Sequence, residues 1–241
     1  MNGMLEIGCA FREGKIVPAI SDAETHHELI DQSRIVILKN TFPAGQLREI
    51  RDLVHAWGKS TTISPAQTIS DSNFHSFEMG VSPRQKTLHL YHAYNFNQIF
   101  SLPEHLRIKL LQVFEPMRDL QNRITGQNAQ WNKDKSGKKL HPQIIHYPCG
   151  GGMFSTHVHP LHPQKVGLIL AISERGVDFN SGGAGFELPD STLVDSSASH
   201  NISDLLMFKY DLRHWVSFVD PEEAVDRNSI RGRWVMVLPY Y

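Results

Sequence analysis

Short apolar and aromatic segments alternate with clusters of Gly, Pro, Asn and Asp from about residue 140 to the C-terminus. Even spacing of many short strands with turn residues between them is typical of a sandwich or barrel, whereas a parallel sheet would show helices between its strands. Eight strands is also the number that a jelly roll requires. We therefore expect a mainly β jelly roll from eight predicted strands, at about 142–148, 153–158, 165–173, 184–188, 191–195, 204–210, 213–219 and 231–239.

The N-terminal part has a different pattern. Residues 35–38 form a short apolar run that predicts a buried strand. Apolar residues then recur at helical spacing between Leu47 and Trp57, where Gly58 ends the pattern, and again from Leu106 to Ile124. We expect these two helices to pack on one outer face of the roll. The periodicity is lost from 60 to about 103, which predicts a long loop placed like a lid over the barrel mouth.

These patterns favour one domain of mixed character, α+β with a dominant β part. Residues 1–139 are expected to form an N-terminal part with the helices and the substrate loop, and residues 140–241 to form the β core with the metal and cosubstrate site. A chain of 241 residues is long enough for such a domain with a sizeable core.

Charge and cysteine content exclude several classes of function. Lys and Arg number 24 against 25 Asp and Glu, so the net charge is −1 and no general positive field attracts nucleic acid or a membrane surface. The two cysteines, Cys9 and Cys149, cannot form a disulfide framework or a four-sulfur zinc site. Because neither a leader sequence nor a long apolar span is recognisable, we expect a cytoplasmic protein.

Histidine is the unusual residue, at 14 of 241 positions. Imidazole is the commonest metal ligand and titrates near physiological pH. His157 and His159 are two apart, so within a strand both side chains point to the same face. His214 lies in the seventh predicted strand, and the second and seventh strands of an eight-stranded roll are neighbours. Each histidine alone could be a hydrogen-bonded core residue, but together they could converge on a metal.

The last predicted strand carries two arginines. Alternation places Arg231 and Arg233 on one face with Val235 and Val237, and three large apolar residues on the other. At least one guanidinium therefore lies at the edge of a core and needs an anion. That anion is either a carboxylate of the protein or a dicarboxylic ligand.

The order of these features resembles that of the Fe(II)/2-oxoglutarate-dependent oxygenases. The resemblance is close over 140–241 and looser over 35–58. The features are a strand ending in Tyr147, a glycine turn at 150–152, the paired ligand positions 157 and 159, a Gly-Gly turn at 182–183 before a strand, a later histidine at 214, and a final Gly-Arg-aromatic strand at 232–234.

The resemblance implies a double-stranded β-helix, a cupin-like jelly roll, with Fe(II) held by His157, the residue at position 159, and His214. It further implies that Arg233, which directly follows Gly232, binds the far carboxylate of the cosubstrate 2-oxoglutarate, with help from Tyr147. Arg231 is the alternative arginine.

One position departs from the family pattern, because His159 stands where these enzymes have Asp or Glu. His159 could be a true third ligand, as in three-histidine cupin dioxygenases, or it could turn away and leave an open position, or the site could bind metal without turnover. An open position also occurs in related halogenases, but there a small residue leaves the room that an imidazole would occupy. Asp178, Asp190 and Asp195 could each supply a carboxylate instead, and the spacing does not select one.

The resemblance implies a dioxygenase that oxidises, most simply hydroxylates, a C–H bond and releases succinate and CO2. Because the sequence indicates no basic groove, we expect the substrate to be a small polar metabolite rather than nucleic acid. Substrate contacts are expected from Arg84, Tyr91 and Asn95. The alternatives are a three-histidine cupin-type dioxygenase that works without 2-oxoglutarate, and a non-catalytic β-roll that binds a metal or ligand. We expect neither a nucleic-acid nor a membrane partner, and the sequence does not indicate an oligomeric state.

Overall fold

A computed structural model describes residues 3–66, 68, 70–81 and 86–241. The N-terminal part begins with a strand pair and a short helix, followed by a strand, a long helix, a β-hairpin and a second long helix. Its elements are β1 (Met4–Arg12), β2 (Lys15–Pro18), α1 (Asp22–His26, continued by a π-helical turn at His27–Asp31), β3 (Ile35–Lys39), α2 (Ala44–Ser60), β4 (Asn73–Val81), β5 (Leu88–Phe96), a 3-10 turn (Ile99–Ser101) and α3 (Glu104–Thr125).

The C-terminal part forms strands at all eight predicted places. They are β6 (Gln143–Pro148), β7 (Gly152–His157), β8 (Val166–Ala171), β9 (Ala184–Glu187), β10 (Leu193–Asp195), β11 (Leu205–Lys209), β12 (Arg213–Val219) and β13 (Gly232–Val237). The turn between β6 and β7 needs glycine, since Gly150 has a φ of +91° and a Cβ there would lie 2.5 Å from the Val225 nitrogen.

The eight strands form the two layers of a jelly roll. One layer has the order β6-β13-β8-β11 and the other the order β10-β9-β12-β7, and the strands within each layer are antiparallel. Strand β5 pairs with both β6 and β7 and so joins the layers along one edge, while β3, β1 and β2 extend the first layer beyond β11. Side chains of the two layers meet in between, where Tyr147 and Val235 pack with Val216 and Phe154.

Helices α2 and α3 cover the outer face of the first layer, as the sequence predicts. Their apolar stripes join Trp234, Met236 and Leu238 of the last strand in the largest core cluster. Alternation along β13 therefore sends its large apolar residues to the helices and its valines and Arg233 to the space between the layers. Within the described residues, no helix combines the length and apolar character that crossing a membrane requires.

The prediction of a long loop between 60 and 103 is wrong. Strands β4 and β5 form an antiparallel hairpin there with nine residue pairs. Strand β5 also pairs with β6 and β7, so it belongs to the sheet of the roll and is not a lid over its mouth. The pattern was hidden because both faces of β5 are mixed: His89, Tyr91 and Asn95 face inward, and His92 and Tyr94 face the helices. With no contrast between a polar and an apolar face, period-2 alternation cannot be recognised.

Candidate metal and cosubstrate site

Two of the three predicted histidines face each other across neighbouring strands. His157 at the end of β7 and His214 on β12 are register partners, and their ring centroids are 4.2 Å apart. The Nδ1–H of His157 donates to the Ser155 carbonyl oxygen at 2.9 Å, and that of His214 donates to the Leu212 carbonyl oxygen at 2.8 Å. These bonds fix the ring orientation and leave Nε2 of both residues available for a metal, as is usual for metal-binding histidines.

His159 completes a cluster of three imidazoles. One ring nitrogen from each histidine lies within 4.8 Å of the other two. His159 follows the end of β7, and its ring is stacked on Tyr210 with centroids 4.4 Å apart. The other rings are also enclosed by aromatic residues, because Phe154 stacks on His157 at 3.9 Å and Phe208 lies 4.7 Å from His214.

The three imidazoles are neutral at physiological pH. Burial lowers the pKa of His157 and, with the charge of the neighbouring histidine, lowers that of His159 to about 4. Burial likewise holds the pKa of His214 well below its ordinary value. A histidine binds a metal ion only in its neutral form, so the cluster is already in the protonation state that binding needs.

No carboxylate belongs to this cluster in the described part of the chain. Asp178 pairs with Arg51 at 2.7 Å and accepts the Glu174 backbone N–H. Asp190 and Asp195 each accept a backbone N–H two residues further on and so stabilise turns. The three aspartates considered from the sequence are thus engaged elsewhere, and the donor set is three nitrogens.

Arg233 is buried inside the roll and forms no ion pair with any residue that the structure describes. Its side chain is 4% exposed, Nη1 has no hydrogen-bond partner, and its Cζ lies 5.8 Å from the centre of the Tyr147 ring on the adjacent strand. Gly232 has a φ of +139°, and a Cβ there would lie 2.3 Å from the Tyr147 carbonyl oxygen. Glycine therefore allows the close approach of β13 to β6 that places Arg233 beside Tyr147.

Arg231 occupies a different environment. It is half-exposed and forms a bidentate ion pair with Glu223, with N–O distances of 2.7 and 2.9 Å. The two arginines thus correspond to the two interpretations of the sequence, since Arg231 pairs with a carboxylate of the protein and Arg233 pairs with none among the described residues.

A cavity of about 830 Å³ opens between the layers and is lined by the three histidines. Tyr91 and Asn95 of β5 and Tyr147 of β6 also line this cavity, whereas Arg233 does not and lies beside Tyr147. Arg84 falls outside the described residues. The size is in the range of pockets that hold small organic ligands.

Sequence reasoning missed several residues around the site. Phe208 and Tyr210 could have been found from the alternation along β11. They point into the space between the layers, where the histidines also lie. His200, which lies 3.5 Å from Arg233, gives no such signal, since it belongs to the irregular segment before β11.

Comparison with known proteins shows where this fold occurs. The sequence matches no protein-family model and no curated protein. The structure is similar to a 2OG-Fe(II) oxygenase family oxidoreductase from Burkholderia pseudomallei, with a TM-score of 0.55, 13% identity, and coverage of 98% of this chain and 94% of that one. A Pseudomonas putida prolyl-4-hydroxylase gives a TM-score of 0.54 at 13% identity, covering 89% and 97% of the two chains.

A third similar structure is SnoN, a non-heme alpha ketoglutarate-dependent epimerase from nogalamycin biosynthesis. Its TM-score is 0.56 at 9% identity, and the match covers 91% of this chain and 81% of SnoN. The chain therefore has the double-stranded β-helix fold of the 2-oxoglutarate oxygenases, which confirms the fold that the resemblance implied.

Proposed function

We propose that the protein is a non-haem Fe(II)/2-oxoglutarate-dependent dioxygenase with a three-histidine metal centre. The observation that carries the proposal is the pairing of two features in one roll: three neutral imidazoles and a buried arginine, neither of which has a carboxylate partner in the described part of the chain. Imidazole nitrogens suit iron as well as other first-row metals. A buried guanidinium needs an anion, and the far carboxylate of 2-oxoglutarate supplies one.

The residues present fit both groups. His157, His159 and His214 would hold the metal, and the backbone carbonyls of Ser155 and Leu212 keep two of the rings in the correct tautomer. Iron bound there supplies the oxidising chemistry, in which dioxygen and 2-oxoglutarate yield succinate, CO2 and an oxidised substrate C–H bond.

Arg233 and Tyr147 would bind the far end of the cosubstrate. The guanidinium offers two parallel N–H donors, and the phenol offers one O–H donor from the cavity wall. Burial raises the pKa of Tyr147 to about 12, so the phenol keeps its proton at physiological pH. Both groups are held on rigid strands, which fixes the distance between the carboxylate site and the metal.

Phe154 and Phe208 pack against the rings of His157 and His214, and the cavity would receive the substrate. Tyr91 and Asn95 offer a hydroxyl and an amide from β5, so they are suited to a small polar molecule. Hydroxylation is the simplest outcome for this chemistry. The similar SnoN structure is of an epimerase, so the fold alone does not select the outcome.

The test is succinate formation. Protein loaded with Fe(II) is incubated aerobically with 2-oxoglutarate and candidate small polar substrates, and wild type is compared with His159→Asp and His159→Ala. We expect 2-oxoglutarate-dependent succinate from wild type and from His159→Asp, which restores the ligand set common in this fold, and less from His159→Ala, which lacks one ligand. Iron-loaded protein that consumes dioxygen and substrate equally well without 2-oxoglutarate would contradict the proposal.

A three-histidine cupin-type dioxygenase is the second candidate, and the donor set of three imidazoles favours it. Such an enzyme has no use for a dicarboxylate, so it leaves Arg233 unexplained. In that case, activity would be unchanged both by removing 2-oxoglutarate and by replacing Arg233.

A further inference from the structure

His200 is the polar side chain in contact with Arg233. It is buried, and its Nδ1 lies 3.5 Å from Nη2 of the arginine. The opposite ring nitrogen, Nε2–H, donates to the Asp204 carbonyl oxygen at 3.0 Å. Because a neutral imidazole has one donor and one acceptor nitrogen, this bond makes Nδ1 the acceptor that faces the guanidinium.

The surroundings of His200 bring no negative charge to the arginine. The Asp204 carboxylate belongs to the same segment, but it accepts Lys39 Nζ at 2.6 Å and the backbone N–H groups of Asn40 and Asn201 at 3.2 and 3.0 Å. The carboxylate of Asp204 is therefore paired with Lys39, and it is the Asp204 backbone carbonyl that accepts the hydrogen bond from His200. Burial, together with the charge of Arg233, lowers the pKa of His200 to about 3, so the ring is neutral.

We propose that His200 is a positioning residue for Arg233, which it orients as a neutral acceptor so that the full positive charge remains for the far carboxylate of the cosubstrate. A carboxylate at this position would orient the guanidinium equally well, but it would also neutralise it and compete with the incoming dianion. This inference rests on the proposed function, since it assigns the partner of Arg233 the task of preserving its charge for 2-oxoglutarate.

A matched pair of variants separates charge from shape. In His200→Asn, the side-chain oxygen replaces Nδ1 as a neutral acceptor, and His200→Asp places a negative oxygen in the same position. Binding is measured by anaerobic calorimetric titration of Fe(II)-loaded protein. The two ligands are 2-oxoglutarate and 2-oxobutyrate, which has the same 2-oxo carboxylate end but lacks the far carboxylate.

We expect 2-oxoglutarate to bind His200→Asn within about threefold of wild type and His200→Asp at least about tenfold more weakly, with equal iron content in all three proteins. Binding of 2-oxobutyrate should be the same in both variants. Equal 2-oxoglutarate affinity of the two variants overturns the inference, and so does an equal loss of both ligands in His200→Asp, because that would reflect general damage. If wild type binds iron but not 2-oxoglutarate, the proposed function itself fails.

Discussion

The protein contains two clusters of histidines, an inner one between the two layers of the roll and an outer one between the β4–β5 hairpin and α2, and they differ in how their ring nitrogens are used. In the outer cluster, against α2, the Tyr94 hydroxyl donates to His92, His92 is hydrogen-bonded to His75 at 2.8 Å, and His75 reaches the Thr61 carbonyl oxygen. Both nitrogens of His75 and His92 are thus satisfied by the protein. In the inner cluster, His157 and His214 each use Nδ1 for a hydrogen bond, and Nε2 of each has no hydrogen-bond partner among the described residues.

Histidine content alone therefore does not identify a metal site. His75, His92 and His214 are buried and His157 is half-buried, and desolvation lowers the pKa of all four. The inner set is distinguished by nitrogens that converge within 4.8 Å of one another on a cavity. Histidines whose ring nitrogens are all hydrogen-bonded to the protein act as core residues. Histidines whose unbonded ring nitrogens converge on one point form a candidate metal site.

The strongest test of the comparison removes one histidine from each cluster. His214→Ala should weaken iron binding by more than about 100-fold, because it deletes a ligand, whereas His92→Gln should leave the iron content unchanged. Iron is measured by metal analysis after anaerobic loading and gel filtration, with circular dichroism to confirm folding. Equal iron content in folded His214→Ala and wild type would mean that the inner cluster is not the metal site.

Arg233 provides the next largest effect. Arg233→Ala should weaken 2-oxoglutarate binding by about 100-fold or more, because a buried charge-assisted pair is lost, and it should spare iron. Arg231→Ala is the matched control, since this arginine already pairs with Glu223. Equal loss of iron and cosubstrate in a folded Arg233→Ala would count against its assignment.

His146 of β6, another histidine on the side of the sheet that faces the helices, should affect stability in acid. His146 is stacked on Trp234, and burial lowers its pKa to about 3 from an ordinary 6.5. The unfolded chain therefore takes up a proton at a pH where the folded protein does not, and the free energy of unfolding falls as pH is lowered from about 6.5 toward 3. At pH 5, the loss from one such group is about 2 kcal/mol.

Replacement of His146 by Phe removes this titration while keeping the ring stack. The unfolding free energy of His146→Phe relative to wild type should therefore improve by about 2 kcal/mol between pH 7 and pH 5, as measured by urea denaturation. A difference that stays constant over this pH range would show that His146 does not titrate in this way.

Tyr147 should give the smallest effect. Tyr147→Phe removes one hydroxyl donor from the cavity wall and keeps the ring beside Arg233, so 2-oxoglutarate affinity should fall about fivefold, or about 1 kcal/mol. The measurement is the same anaerobic titration, with Tyr91→Phe as the comparison. A loss as large as that of Arg233→Ala would instead indicate that the phenol, not the guanidinium, holds the carboxylate.

The core strands and the pairing of the histidine strands could be predicted because both rest on local alternation. His157 and His214 follow from period-2 patterns on strands that a jelly roll makes neighbours, whereas Arg233 was preferred because the family resemblance implies an arginine directly after a glycine, here Gly232. The hairpin β4–β5 could not be predicted, because its two faces, Tyr91 with Asn95 and His92 with Tyr94, are equally polar and aromatic. The role of His200 could not be predicted either, because it lies in an irregular segment, 33 positions before Arg233 in the sequence.

The most direct measurement is an anaerobic titration of Fe(II)-loaded protein with 2-oxoglutarate, followed by visible absorption. We expect a metal-to-ligand charge-transfer band that saturates on binding and that shifts in His159→Ala, because His159 is one of the ligands of the iron that produces the band. Iron that binds without producing this band would show that 2-oxoglutarate is not chelated at the site, which would contradict the proposed 2-oxoglutarate-dependent function.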